Sequence, residues 1–355
     1  MKSLVIRYIS AFVLRGTVVS FMVLAPGMAA AATGPEEHST SDPAMSSMMD
    51  PDQLLLSSRV FLGRLPAAMP GSQNDTPERI ALGKRLYFER GISTHKNQAC
   101  HDCHLLTEGR AGTDHTPTSK GTIGEFGKRN SPTVINAGFQ FAQFWDGRSP
   151  DLVDQAKGPV LNPIEMGMKT PMEVMDRLRG IEGYAEAFQR AFPNDPQPMT
   201  YDNMAVAIAA FERTLIAPGR FDKYLAGEED AITEQEKMGL MAFMDHGCVD
   251  CHTGVTVGGQ LYRKIGVRHA LAGNEDVGRY EVTKNEEDRF VFKVPMLRNI
   301  TRTGPYFHDG KIPTLSGAVH LMGQLQLGLE LHPGDTADLV AFLGTLEGNP
   351  PPVQE

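Results

Sequence analysis

The chain is poor in cysteine, has a single tryptophan, and contains neither a basic run nor an apolar stretch long enough to cross a bilayer. Four cysteines in 355 residues cannot build the dense disulfide framework of a small secreted scaffold. A net charge of −9 without any Lys/Arg cluster leaves nucleic acid no electrostatic footprint. Thr17 to Ala25 is the longest early apolar stretch, well short of the roughly 20 residues a membrane helix needs. What remains, 41% hydrophobic and 22% charged, is the composition of an ordinary globular chain, and its length favours two domains.

Residues 1–32 read as a cleaved export signal, which places the mature protein in the periplasm. Lys2, Arg7 and Arg15 precede or flank the apolar stretch, and Ala29, Ala30, Ala31 and Ala32 form a small-residue cleavage region. No cysteine lies nearby, so no lipid anchor is expected. Cleavage removes three cations and no acids, moving the charge from −9 to −12. Residues 33–58, rich in Ser, Met, Pro and acids, are expected to form a leader or loosely packed arm.

All four cysteines fall in two short motifs, Cys100-His101-Asp102-Cys103-His104 and Cys248-Val249-Asp250-Cys251-His252. C-x-x-C-H is the pattern of c-type haem attachment. Each cysteine forms a thioether with a porphyrin vinyl group, and the following histidine turns under the ring to ligate iron. His104 and His252 are thus the expected proximal ligands of two covalent haems. A structural zinc site wants its pairs about 12–20 residues apart, and these are much farther. A disulfide framework gives no reason for a histidine after each pair. A thioredoxin-like site needs one pair on a βαβ background, which the sequence does not show.

Helix signals flank both motifs. Thr76-Pro77-Glu78 predicts a helix start ahead of the first, with an N-cap followed by proline. Thr233-Glu234-Gln235-Glu236 has the capping-box pattern ahead of the second. Gly83 and Gly239 recur in these two helices, a weak internal repeat. Apolar periodicity predicts closing helices over Asn203 to Ile216 and Asp335 to Leu346, the latter with Gly348 as its C-cap. The expected fold is mostly α: two tandem cytochrome c-like domains, residues 59–218 and 219–355, with long irregular loops wrapped round the haems.

The segments after the first motif carry a more specific likeness. Arg129-Asn130-Ser131-Pro132-Thr133, Gln143-Phe144-Trp145-Asp146-Gly147-Arg148, Gln155-Ala156-Lys157-Gly158-Pro159 and Glu165-Met166 follow in order. Pro295-Met296-Leu297-Arg298-Asn299-Ile300, Thr303-Gly304-Pro305-Tyr306-Phe307-His308-Asp309-Gly310 and His320-Leu321-Met322-Gly323 come later. Over residues 55–348 the chain resembles the bacterial di-haem cytochrome c peroxidases.

The resemblance implies reduction of hydrogen peroxide to water, with electrons from a small periplasmic cytochrome c or cupredoxin. It makes Met322 the distal ligand of the second haem, where a thioether raises the potential and suits the iron to accept electrons. It puts Trp145 between the haems, and Glu165 and Gln155 over the open face of the first. There a carboxylate acts as general base then acid while an amide orients peroxide. Asn130, Thr303 and Pro305 match a calcium site built of oxygen ligands, and the family commonly dimerises. The chain departs from the pattern at Thr122, where many members carry a histidine that blocks the first iron. His115, in the same loop, is the candidate substitute. Two other readings stand beside this one. A relative that oxidises tryptophan of a partner protein has tyrosine where this chain has Met322, and a non-enzymatic di-haem carrier would need no Glu165.

Overall fold

A computed structural model describes residues 50–107 and 109–353. The expected export signal and residues 33–49 of the expected arm lie outside the described residues. Helices α1 (Pro51–Phe61), α2 (Pro77–Tyr87) and the single turn α3 (Cys100–Cys103) come first. Helices α4 (Leu152–Leu161), α5 (Pro171–Arg179), α6 (Tyr184–Ala191) and α7 (Tyr201–Glu212) complete the first half. The second half holds α8 (Arg220–Ala226), α9 (Glu234–Asp245), the short α10 (Tyr280–Thr283), α11 (Leu315–Met322) and α12 (Pro333–Thr345). A single antiparallel pair, β1 (Tyr262–Lys264) with β2 (Val291–Lys293), lies among the loops of that half.

The caps form as the sequence predicts. Thr76 Oγ1 accepts the Arg79 amide at 3.3 Å, and Thr233 and Glu236 close a reciprocal capping box. The first closing helix begins at Tyr201 rather than Asn203, because Thr200 Oγ1 caps it by accepting the Asn203 amide. Gly348 does not cap α12. That helix ends at Thr345, and the Gly348 amide instead donates to Asn299 Oδ1 at 2.7 Å.

Two large apolar cores result, with smaller clusters beside them. One gathers Leu82 and Leu86 of α2 with Val174, Leu178, Phe188 and Ile208. The other gathers Phe221, Leu240, Phe342 and Leu346. In each, the helix before a haem motif crosses its closing helix at a glycine. A Cβ on Gly83 would stand 1.7 Å from the Ala207 carbonyl oxygen, and one on Gly239 1.8 Å from that of Asp338. Only a residue without a side chain lets these backbones meet so closely.

The expected arm needs correcting where it is described. Residues 51–58 are helical and packed, since Leu54 and Leu62 are buried in the second core. Spacing of four and eight puts Leu54, Ser58 and the C-cap Leu62 along one face of α1. Arg59 Nε donates to the Leu225 carbonyl and the Leu65 amide to Asp222 Oδ1, so the start of the first half is tied to α8. Arg298, 1% exposed, closes this corner with a two-pronged pair to the same Asp222 carboxylate. Removing one partner of such a buried pair typically costs about 3–5 kcal/mol.

The repeat extends into the loops. Pro132, Asn136 and Phe144-Trp145-Asp146-Gly147 recur at identical spacing as Pro295, Asn299 and Phe307-His308-Asp309-Gly310. Asn136 and Asn299 both adopt left-handed backbone, at φ 62° and 60°. Each anchors the segment after its closing helix: Asn136 Oδ1 accepts the Ala217 amide, Asn299 Oδ1 that of Gly348. Phe144 and Phe307 share positive φ, and an isolated antiparallel bridge closes each loop, Gln143 with Ser149 and Tyr306 with Ile312.

Candidate haem-binding sites

Both cysteine motifs fold the same way. The His104 amide donates to the Cys100 carbonyl and the His252 amide to the Cys248 carbonyl, each at 2.9 Å. This one-turn geometry sets the two cysteines and the histidine around a common face. In the first motif Asp102 braces the turn, accepting from the Ala99 amide at 2.7 Å and pairing with Arg90 at 2.6 Å. Tyr87 Oη of α2 donates to the His104 carbonyl at 2.6 Å.

The donor set fits haem. Burial pushes the Cys103 thiol up to about 12, helped by nearby acids, and the Cys248 thiol up to about 11. Undissociated thiols suit thioether formation, whereas a zinc site calls for thiolates. Burial likewise lowers both histidines, His252 to about 4, so each offers a neutral imidazole. Nδ1 of both rings is buried without a hydrogen bond of good geometry. Backbone of Gly112 and Pro132 borders His104, and backbone of Val257 and Pro295 borders His252, the repeated prolines taking equivalent places.

Cys248, Cys251 and His252 line a largely apolar cavity together with Met322. Met322 ends α11, where the chain passes into a π-turn over Gly323–Leu327. Such insertions concentrate at functional sites. Trp145 lines the same cavity from the first half. Its Nε1 donates to the Asn130 carbonyl at 2.8 Å, and its ring meets that of His308 edge-on with centroids 6.3 Å apart. The Asn130 amide in turn donates to the His308 carbonyl at 2.7 Å.

Glu165 lies close enough to the first motif for its charge to act on Cys103. Burial raises its carboxyl above the usual carboxylate range, while Arg148 and a 2.8 Å hydrogen bond from Asn162 Nδ2 partly oppose this. The sequence alone gives Asn162 and Arg148 no role at this carboxylate. The Asn-x-x-Glu spacing in a turn, and Arg148 at the end of the Trp145 block, were the available signals. Gln155 lies half-buried on α4 with its backbone in the helix.

Thr122 is buried and fully engaged. Its amide donates to the Glu165 carbonyl at 2.7 Å, its hydroxyl to Asn97 Oδ1 at 2.6 Å, and its carbonyl accepts from Asn97 Nδ2. His115 sits at φ 60° and Nε2 donates to the Arg110 carbonyl at 3.1 Å. It borders a second, open cavity with Arg302, Pro305 and Tyr306. Asn130, Thr303 and Pro305 all line the cavity of the second motif. Asn130 Nδ2 donates to the Thr116 and Pro117 carbonyls, which leaves its Oδ1 as the acceptor end.

A family profile described as di-haem cytochrome c peroxidase matches residues 77–230. The chain is 46% identical over 278 residues to cytochrome c551 peroxidase of Pseudomonas aeruginosa, covering 77% of this chain and 80% of that one. It belongs to the di-haem cytochrome c peroxidase family. Methylamine utilization protein MauG of Methylorubrum extorquens is more distant, 32% identical with 81% of this chain and 84% of that one covered. Among solved structures, a MauG-like protein associated with microbial copper homeostasis superposes with a TM-score of 0.72 at 27% identity. That match covers 80% of this chain and 93% of the other. The protein is therefore a haem-dependent oxidoreductase of peroxidase type, mostly helical. No helix among the described residues is long and apolar enough to cross a membrane.

Proposed function

We propose that this peroxidase, exported to the periplasm, takes up hydrogen peroxide, two protons and two electrons and releases two waters, with its two halves dividing the work. Residues 59–218 form the peroxide-reducing half and residues 219–355 the electron-entry half, to which α1 also belongs. Haem, attached at Cys100 and Cys103 and at Cys248 and Cys251, supplies the redox-active iron. His104 would ligate the first iron, and His252 and Met322 the second.

Glu165 accepts the proton of peroxide's inner oxygen and returns it to the outer oxygen, which leaves as water. Burial favours this exchange by raising the carboxyl toward neutrality, and Asn162 fixes its orientation. Gln155 orients the peroxide. Trp145, hydrogen-bonded to the first half and ring to edge with the second, carries the contact between them. Asn130, Thr303 and Pro305 hold calcium at the seam. A small cytochrome c or cupredoxin delivers electrons to the Met322 side, and two copies of the chain pair.

The observation that carries this reading is a half-buried carboxyl, raised by desolvation, whose charge acts on the Cys103 attachment point, while no Asp or Glu lines the Met322 cavity. A non-enzymatic carrier needs no such carboxyl. The test is steady-state oxidation of reduced cytochrome c by peroxide. Two haems per chain should survive acid–acetone extraction, and turnover should be lost when Glu165 is removed. Extractable haem, or a protein that oxidises a partner's tryptophan but not cytochrome c, overturns it.

A further inference from the structure

Lys293 lies on β2 and is 5% exposed, yet no carboxylate among the described residues pairs with it. Its ammonium donates to Gln140 Oε1, a neutral amide. Burial alone pulls it down, to about 7, with no acid acting in the other direction. An unpaired buried ammonium is costly: it either sheds its proton or is met by an anion. Lys293 lines the cavity of Cys248, Cys251, His252 and Met322, and no Asp or Glu is among the residues lining it. An anion that meets Lys293 in this cavity therefore comes with the occupant and not from the cavity wall.

We propose that Lys293, held by Gln140, is the counter-ion of a propionate of the second haem and raises the reduction potential of that haem. This rests on the two-haem reading of the cysteine motifs. A porphyrin brings two carboxylates into an otherwise carboxylate-free cavity, and Lys293 is its buried cation. A fixed positive charge at a haem edge disfavours the ferric state relative to the ferrous one, so the second haem accepts an electron more readily.

The support comes from the opposite half. Gln140 belongs to the first half and reaches Lys293 past Gly259, whose φ is 74°. A Cβ there would sit 2.7 Å from Gln140 Cγ, so a larger residue would push the amide away from the ammonium. The Lys293 amide donates to the Trp145 carbonyl at 2.7 Å, tying its strand to the residue proposed to join the two halves. Lys293 is thus a positioning residue for the cofactor's charge and not a group that touches peroxide.

The experiment uses the holoprotein and spectroelectrochemical titration with resonance Raman of the propionate bending modes. Lys293→Met should keep two haems and the methionine ligation of the second. Its second midpoint should fall while the first stays put, and one propionate band should shift. Lys293→Arg should restore the midpoint with the band displaced, since charge is kept and geometry changes. Gln140→Leu should shift the band and lower the midpoint by less than Lys293→Met. If Lys293→Met does not take up haem, the other two variants decide in the same way. Unmoved propionate bands, or an equal midpoint shift in Lys293→Arg and Lys293→Met, overturn the proposal. Peroxide turnover is assayed separately: an inactive wild type with the expected Raman and redox shifts would refute only the peroxidase reading.

Discussion

Each half folds a turn of Phe-x-Asp-Gly and then starts a helix at the same spacing, α4 after Asp151 and α11 after Thr314. At the eighth position α11 carries Met322 and α4 carries Pro159. A thioether can bind iron, whereas a proline ring offers no donor. Where the second half presents a sulfur, the first leaves a face without one and sets Glu165 nearby. Under the proposed function, a repeated scaffold takes two chemistries from one position in this helix and the turn that carries Glu165. On the proposed function, the two sites would be told apart chiefly by the side chain at this one position.

Breaking the open side should have the largest effect. Glu165→Gln should slow reaction with peroxide by roughly 10²–10⁴-fold, the usual loss for a positioned acid–base group, and leave the second haem's potential in place. Stopped-flow mixing with peroxide measures it, and wild-type rates would remove Glu165 from the mechanism.

Breaking the shared scaffold comes next. Gly83→Val and Gly239→Val should each destabilise the protein by about 1–3 kcal/mol or more, because added carbon meets backbone oxygen at the crossing. Denaturant unfolding of the two variants tests whether the halves depend equally on their glycines. A stable Gly239→Val beside an unstable Gly83→Val would mean that the second crossing can open and the first cannot.

Exchanging the distal donors sharpens the contrast. Met322→His should lower the second potential, since imidazole stabilises ferric iron more than a thioether does. Pro159→Met should hand the first iron a sulfur and suppress its high-spin signal. Redox titration and electron paramagnetic resonance report both, and an unchanged pair of midpoints in Met322→His would show that Met322 is not a ligand.

A smaller effect concerns pH. Arg148 opposes the upward push of burial on Glu165. Arg148→Leu should raise that carboxyl further, so the base form is lost at higher pH as acidity increases. The acid limb of the kcat/KM profile should move up, and a limb that moves down or stays would detach Arg148 from Glu165.

The smallest expected effect is none. Thr122 is held by Asn97 and the Glu165 carbonyl, and His115 by Arg110, so the resting first haem should be high-spin and react without prior half-reduction. His115→Ala should leave both properties alone. A low-spin resting enzyme that needs half-reduction, and a His115→Ala variant released from that need, would put His115 on the iron.

Chemistry that lives in contiguous residues was legible without coordinates. The two C-x-x-C-H motifs, the Thr76 and Thr233 caps, and the blocks around Trp145 and Met322 each depend on neighbours within a few positions, so their meaning travels with the sequence. The pairing of the two glycine-bearing helices with their partners needed the backbone, because periodicity shows a buried face without naming what covers it. The same limit hid α1: Leu54, Ser58 and Leu62 share a face, but only the second core, formed far along the chain, makes that face buried. Thr122 was visible as a departure, but its grip on the Glu165 turn was not, since the hydrogen bond joins backbone groups that any residue carries. Lys293 went unnoticed for a similar reason. A lysine in a sequence is read as a solvated charge, and only tertiary packing decides that this one is buried in a cavity whose wall holds no carboxylate.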